Sequence, residues 1–483
     1  MPFIVHHLGD HNYGYWALVA SVLGYYGVLD LGIVTAVQYQ VAKSLGDADH
    51  DSANRTISTA FCAFAVLGIV IFALTVVVAG LARLFIVGEA DISLFRIVLV
   101  IMGAGFAVGF PGRAFIGAIA AHMRFDLGAS VSLIVLALRT ALILVIIGGG
   151  GGLVSLALIS LVSDAVGYVL SYLILRRIQI GLRIRAALAS IKTLKGLFNY
   201  SGFALLIQIA DQFRFSLDGW VVSVFVGVSA VTHYSIASRL SQAFMALIIA
   251  AVGVLSPWFS QLLGSSDFSG IRRVFIMGTK VSASLSTIVA SSLILYGYVF
   301  VERWMGKQYV DAYWPLVFLV CAIYCDVAQL PSVSYMFGVS RHRFLAWVTL
   351  AEGIANLGLS LYWARRYGMA GVALGTLVPM LIAKLFIQPI YVCKHLEIPL
   401  ATYYFRFLGR SIVPPALGAL ILWKCFFEKL YVPNVASVCV VIISQALVCG
   451  LLTLVFTFTS SERHSVLKRI FSQRSVSPQT EVI

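Results

Sequence analysis

Twelve ionisable side chains sit inside long apolar runs of this 483-residue chain. The acids are Asp30, Asp164, Asp211, Asp218, Asp326 and Glu352; the bases are Arg113, Arg139, Arg214, Arg239, Lys280 and Lys384. Left facing hydrocarbon, each would cost roughly 2.5–3.5 kcal/mol at a helix centre, so most should face a polar cavity or a partner. Lys280 lies near a span end and can extend its ammonium to the interface, so it is set aside. Arg113, Arg139, Arg214, Arg239 and Lys384, with Gln208, are the candidate substrate-binding groups. The six acids are the candidate pairing or ion-coupling groups. Six acids against six bases leave the sign of the cargo open. Such groups move or bind charged cargo; they do not make a catalytic constellation, and no enzyme activity is expected.

Spacing sharpens the choice. Gln208, Asp211, Arg214 and Asp218 follow one another at intervals of 3, 3 and 4, which places them within an arc of ~120° on one helix. That face cannot look at lipid and should line a central space. Depth counted outward from each turn pairs Asp218 with Arg239, Arg139 with Asp164, and Glu352 with Lys384. The simpler alternative is that these pairs only neutralise one another. Arg113 has no partner by this count.

The elements that must carry these groups are membrane helices. The chain is 60% hydrophobic and 11% charged, with a mean hydropathy of +0.96. Apolar runs near the ~20 residues needed to cross a bilayer recur throughout. Thirteen spans are predicted: 14–37, 56–81, 92–118, 126–147, 153–176, 197–226, 231–260, 274–299, 313–338, 343–364, 370–393, 404–427 and 436–459. No loop is long enough for a soluble catalytic domain. No basic segment precedes the first apolar run, so no cleavable signal peptide is expected. The seven cysteines lie in or beside spans without a Cys-x-x-Cys pair, so neither a metal site nor a structural disulfide is expected.

Alternate loops carry 20 and 8 of the 34 basic residues. The richer set is therefore expected to be cytoplasmic, and the C-terminus with it. The stretch RRIQIGLRIRAALASIKTLK (176–195) has six bases and no acid. It reads as an interfacial linker on anionic lipid, with no nucleic-acid module around it.

Shifting the sequence by 218 residues superposes Gly9 on Gly227, Leu45-Gly46 on Leu263-Gly264, Asp49 on Asp267 and Arg55 on Arg273. A shift of 219 superposes Arg124-Phe125 on Arg343-Phe344. Such a repeat implies two parallel bundles, with substrate handled near the midplane. The second unit has six spans and the first only five, so MPFIVHH reads as the end of a first span whose start is absent. The frame upstream is then expected to encode ~20 further apolar residues. GFPGR (109–113) and QLPSV (329–333) are candidate helix breaks at matching positions. The division is an N-terminal transmembrane bundle 1–177, a basic cytoplasmic linker 178–196, a C-terminal bundle 197–395, an extra helix pair 396–460 and a cytoplasmic tail 461–483. The fold class is an all-α polytopic membrane protein: two pseudo-symmetric six-helix bundles, the first helix truncated, plus the C-terminal pair.

The stretch LGDHNYGYWALVASVLGYYGVLDLGIVTAVQYQVAKSLGD resembles the beginning of bacterial polysaccharide-export flippases of the multidrug/oligosaccharidyl-lipid/polysaccharide exporter superfamily. Arg124-Phe125-Asp126 and HYSIASRL (233–240) are similar to further patterns of that family. The departure is the largely absent first helix. The resemblance implies flipping of undecaprenyl-pyrophosphate-linked oligosaccharide units across the bacterial cytoplasmic membrane, for O-antigen, capsule or exopolysaccharide synthesis by alternating access. It implies arginines on the phosphates, membrane lipids and the lipid-linked oligosaccharide as partners, and polysaccharide polymerase machinery as a further one. No cofactor is implied. No P-loop is present, which leaves a proton or sodium gradient acting on a carboxylate such as Asp211 or Glu352. The alternatives on the same fold are a multidrug or cation exporter and a peptidoglycan-precursor flippase.

Overall fold

The computed structural model describes the chain apart from residue 1, the stretches 85–88, 199–216, 426–433 and 464–483, most of 253–266, and residues 31, 48, 123, 180, 340, 341, 460 and 461. The described residues are helices and turns, with no strand among them. Ten helical runs among them are long and apolar enough to cross a bilayer.

The helices are α1 (Pro2–Tyr26), α2 (Ile33–Gly46), α3 (His50–Gly80), α4 (Glu89–Gly109), α5 (Arg113–Ala121), α6 (Phe125–Leu142), α7 (Leu153–Ile178), α8 (Asp218–Phe225), α9 (Val228–Val252) and α10 (Phe268–Trp304). They continue with α11 (Tyr313–Ala328), α12 (Leu330–Gly338), α13 (His342–Ile382), α14 (Gln388–His395), α15 (Arg410–Cys425) and α16 (Val435–Phe456). Where thirteen spans were expected, three runs differ. The span 14–37 is α1, a 3-10 turn at Gly27–Asp30, and α2. The spans 343–364 and 370–393 form one helical run, Arg343–His395, kinked at Gly368 (φ 56°). Most of 197–226 lies outside the described residues. MPFIVHH is helical, and helical geometry stops at Gly9 (φ 78°, ψ 161°) before resuming through Tyr26.

Local geometry recurs at the interval seen in the sequence. Asp49 caps α3 by accepting from Ser52 N–H (2.9 Å), and Asp267 caps α10 by accepting from Gly270 N–H (2.8 Å). Each carboxylate satisfies an amide that the first helical turn leaves unpaired. Gly9 and Gly227 both take positive φ, as do Gly150 and Gly368. Both proline motifs break their helices as predicted: Phe110–Gly112 tightens to a 3-10 turn, and Gln329 separates α11 from α12.

Contacts sort the chain into two units, residues 1–235 with 346–375, and residues 236–345 with 376–483. In the first, α3 packs on α4, α4 on α7, α2 on α5, and α6 on α7. The α3–α4 seam is close because a methyl at Gly68 would lie only 2.5 Å from the Ala107 carbonyl oxygen, the small-residue packing that membrane helices rely on. Phe64 and Phe110 meet edge to face across it at 5.3 Å.

In the second unit α10 is the central post, touching α11, α12, α15 and α16. Its buried face is rich in small hydroxyl residues that tie the neighbours by hydrogen bonds. Ser282 Oγ donates to the Val327 carbonyl (2.6 Å), Ser284 Oγ to the Ser411 carbonyl (3.1 Å), and Gln445 Nε2 to Ser292 Oγ (3.1 Å).

Candidate functional site

Arg113 opens α5 immediately after the Phe110–Gly112 turn, where Pro111 has removed a helix hydrogen bond. Its guanidinium lies over Phe110 (4.7 Å) and Phe106 (5.3 Å). Asp30 stands 3.6 Å from it, with side chains 23% and 14% exposed. Asp30 ends the Gly27–Asp30 turn and accepts from Val34 N–H (3.3 Å), so it also caps α2. Gly32 takes a left-handed φ of 69° in this turn. The sequence count left Arg113 without a partner; the α2–α5 packing supplies Asp30.

Arg139 on α6 and Asp164 on α7 pair at 2.5 Å, as their depth around the glycine turn predicted. Arg139 Nε is buried and makes no hydrogen bond. One turn beyond Asp164, the Tyr168 ring is wedged against Gly109 and Gly112, where a methyl would collide with it. Tyr168 is within electrostatic reach of Asp164, Arg113 and Arg139. Asp30, Arg113, Tyr168, Asp164 and Arg139 thus form one polar track through the first unit. Tyr168 was missed in the sequence, although its position four residues after Asp164 put it on the same helix face.

A second cluster in this unit surrounds Asp218, at the start of α8. Tyr234 Oη donates to it at 2.5 Å, a partner the depth count did not name. Tyr25 Oη is buried with no hydrogen bond and within electrostatic reach of Asp218. Nearby, Thr232 Oγ1 donates to the Asp10 carbonyl (2.6 Å), and His233 Nε2 stands 3.7 Å from the Asp10 carboxylate. Glu352 is buried, 3% exposed, on a stripe of α13 shared with Asn356 and Ser360. Ser360 Oγ donates to Asn356 Oδ1 (2.9 Å).

In the second unit Lys384 pairs with Asp326 at 2.9 Å, again a partner the depth count did not name. Lys384 sits in a π-helical segment, Ala383–Ile387, the kind of bulge that re-aims side chains inside a helix. Gln329, Ser332 and Tyr403 form a buried hydrogen-bonded group beside the α11–α12 break. Lys280, set aside from the sequence, is bound at 2.8 Å by Glu462 beyond α16. Arg239 is exposed on α9. Gln208, Asp211 and Arg214 lie outside the described residues. No cluster of metal-ligating side chains occurs among the described residues.

Comparison with known proteins gives this architecture a context. Residues 1–263 match the family model described as polysaccharide biosynthesis protein. The chain is 20% identical over 488 residues to "Uncharacterized membrane protein EpsK" of Bacillus subtilis (strain 168), covering 97% of this chain and 93% of that protein. It is 21% identical over 408 residues to "Putative O-antigen transporter" of Shigella flexneri, covering 81% and 92%. Its fold is similar to an inward-facing multidrug resistance MATE family transporter of the MOP superfamily, with a TM-score of 0.74 at 15% identity over 82% of this chain and 93% of that one. It is also similar to the lipid II flippase MurJ in an inward closed conformation, with a TM-score of 0.65 at 14% identity over 95% and 97%.

Proposed function

The chain belongs to the polysaccharide biosynthesis protein family, and from that membership we propose that it flips lipid-linked oligosaccharide units across the bacterial cytoplasmic membrane. A sugar diphosphate cannot cross hydrocarbon unaided, because its charges would lose their water. The observation that carries the reading is the Arg113 site. A guanidinium on two aromatic faces, inside an apolar helix, stands 3.6 Å from its carboxylate and keeps 23% of its side chain accessible. It is held in place yet has donors left for a phosphate, which it meets through a planar fork. Arg139, with a buried unbonded Nε, stands next along the track. Gln208, Asp211 and Arg214 remain in the proposal where the sequence put them. Arg239 and Lys384 remain with them as cavity candidates.

In this reading phosphate competes with Asp30 for Arg113, and that competition biases the protein between its two access states. Asp164, Asp218 and Asp326 hold their partners when substrate is absent. The drive is a proton or sodium gradient acting on a membrane carboxylate; buried Glu352 is our choice. The 178–196 linker and the C-terminal tail face the cytoplasm, by their excess of basic residues.

The test is export of surface polysaccharide beside membrane abundance. Arg113→Ala loses export at normal abundance. Arg113→Lys regains only part, since a point charge lacks the fork. Normal export by Arg113→Ala overturns the assignment. Loss of abundance in step with export makes Arg113 a folding residue and overturns it equally.

A further inference from the structure

The first unit carries a groove of about 660 Å³ between α4–α5 and α7. One wall is the α7 stripe Leu161, Ala165, Tyr168 and Tyr172, which shares a single helix face at ~100° per residue. The opposite wall is Gly105, Gly109 and Gly112, whose missing side chains let Leu161 and the Tyr168 ring seat against the backbone. Phe61 and Phe115 stack across one side at 5.6 Å. The lining holds no charged side chain. The rim residues Val108 and Val169 are 81% and 56% exposed, so the groove is open. Such a surface is matched to a hydrocarbon chain.

One end of the groove is closed by Ile184 of the basic linker. The linker is strapped across the start of α3. Asn54 Nδ2 donates to the Gly181 carbonyl (2.9 Å), Ser58 Oγ to the Arg183 carbonyl (3.1 Å), and Ser190 N–H to Thr59 Oγ1 (3.1 Å). Arg183 and Arg185 flank Ile184 and are exposed, on the side of the extended segment turned away from Ile184 and the groove. Arg176 is exposed too, one turn past Tyr172 on the same stripe of α7. The closed end of the apolar groove is therefore bordered, on its outer side, by three exposed arginines in a stretch without a single acid.

We infer that this groove seats the polyprenyl chain of the lipid-linked substrate when it first docks at the cytoplasmic face, before its phosphates reach Arg113, with the diphosphate on Arg176 and the linker arginines. The inference rests on the flippase reading above. A carrier lipid presents one chain per head group, which suits one groove, whereas a membrane phospholipid presents two. A diphosphate is also the head group that rewards several guanidiniums at once.

The experiment uses the full chain in phosphatidylcholine nanodiscs and undecaprenyl diphosphate bearing a diazirine on its polyprenyl chain. Photolabel should fall on peptides spanning 104–115 and 161–172, and excess phosphatidylglycerol should not displace it. Ala165→Trp fills the groove from an exposed position and should abolish that label. Arg176→Gln should weaken it by about tenfold, the loss of one charge-assisted hydrogen bond. Leu133→Trp, at a 66% exposed site on α6, should leave it unchanged. Equal displacement by phosphatidylglycerol makes the groove a general lipid site and overturns the inference. Label on other helices, with carrier-lipid flipping intact in proteoliposomes, overturns the groove alone. A wild type that neither takes label nor flips the carrier overturns the functional reading with it.

Discussion

Removing the Asp326 carboxylate takes from the buried Lys384 ammonium an ion-pair partner 2.9 Å away. The two side chains are 14% and 3% exposed and meet at 2.9 Å. At an effective dielectric near 20 their attraction is ~6 kcal/mol, from the Coulomb relation. Much of that is offset by the desolvation of both ions, so the intact pair adds little over an apolar replacement. Breaking it is another matter: removing one partner of a buried pair costs about 3–5 kcal/mol. Asp326→Asn, which preserves shape, is therefore expected to lower the unfolding free energy by that amount. Adding Lys384→Met removes the remaining buried charge and should recover at least ~2 kcal/mol. Unfolding in mixed micelles with rising dodecyl sulfate, followed by tryptophan fluorescence, measures both. An Asp326→Asn protein within ~1 kcal/mol of the parent, or a double variant no more stable than the single one, would refute the reasoning.

Two further predictions follow from packing and from the helix caps. Gly112→Ala places a methyl against the Tyr168 ring, which Gly109 blocks on its other side. It should cost about 1–3 kcal/mol by overpacking, and Tyr168→Leu in the same chain should relieve most of it in the same micelle assay. Asp267 lies outside the bilayer-spanning segment. Hydrogen bonds from Gly270 N–H and Ser269 Oγ hold its carboxyl below the usual carboxylate range. Because its folded pKa is depressed, the cap is fully present above the ordinary carboxylate pKa and is lost only as pH falls through the lowered folded value. Protection of the Gly270 amide in hydrogen exchange should persist into mild acid and then fall. Asp267→Asn should keep the protection and lose the pH dependence; an unchanged pH profile in that variant would count against the cap.

Hydropathy in the sequence determined that this is a helical membrane protein, because a backbone in hydrocarbon must bond to itself along the helix. Local chemistry determined the punctuation. Helices break beside Pro111 and Pro331, and Asp49 and Asp267 cap theirs with the same three-residue reach. The Arg139–Asp164 pair was legible because a short glycine turn joins α6 and α7, so rise per residue fixes relative depth on the two helices. Tertiary packing alone decided the others. Asp30 and Arg113 meet because α2 lies on α5, and Asp326 meets Lys384 with two helices, α12 and α13, between them in the chain order. Counting outward from one turn cannot reach such pairs, since it orders depth but says nothing about which helices become neighbours. The groove beside Tyr168 belongs to the same class. Its glycines and its aromatic stripe are visible in the sequence, but only the packing of α4 and α5 on α7 brings them together along one groove.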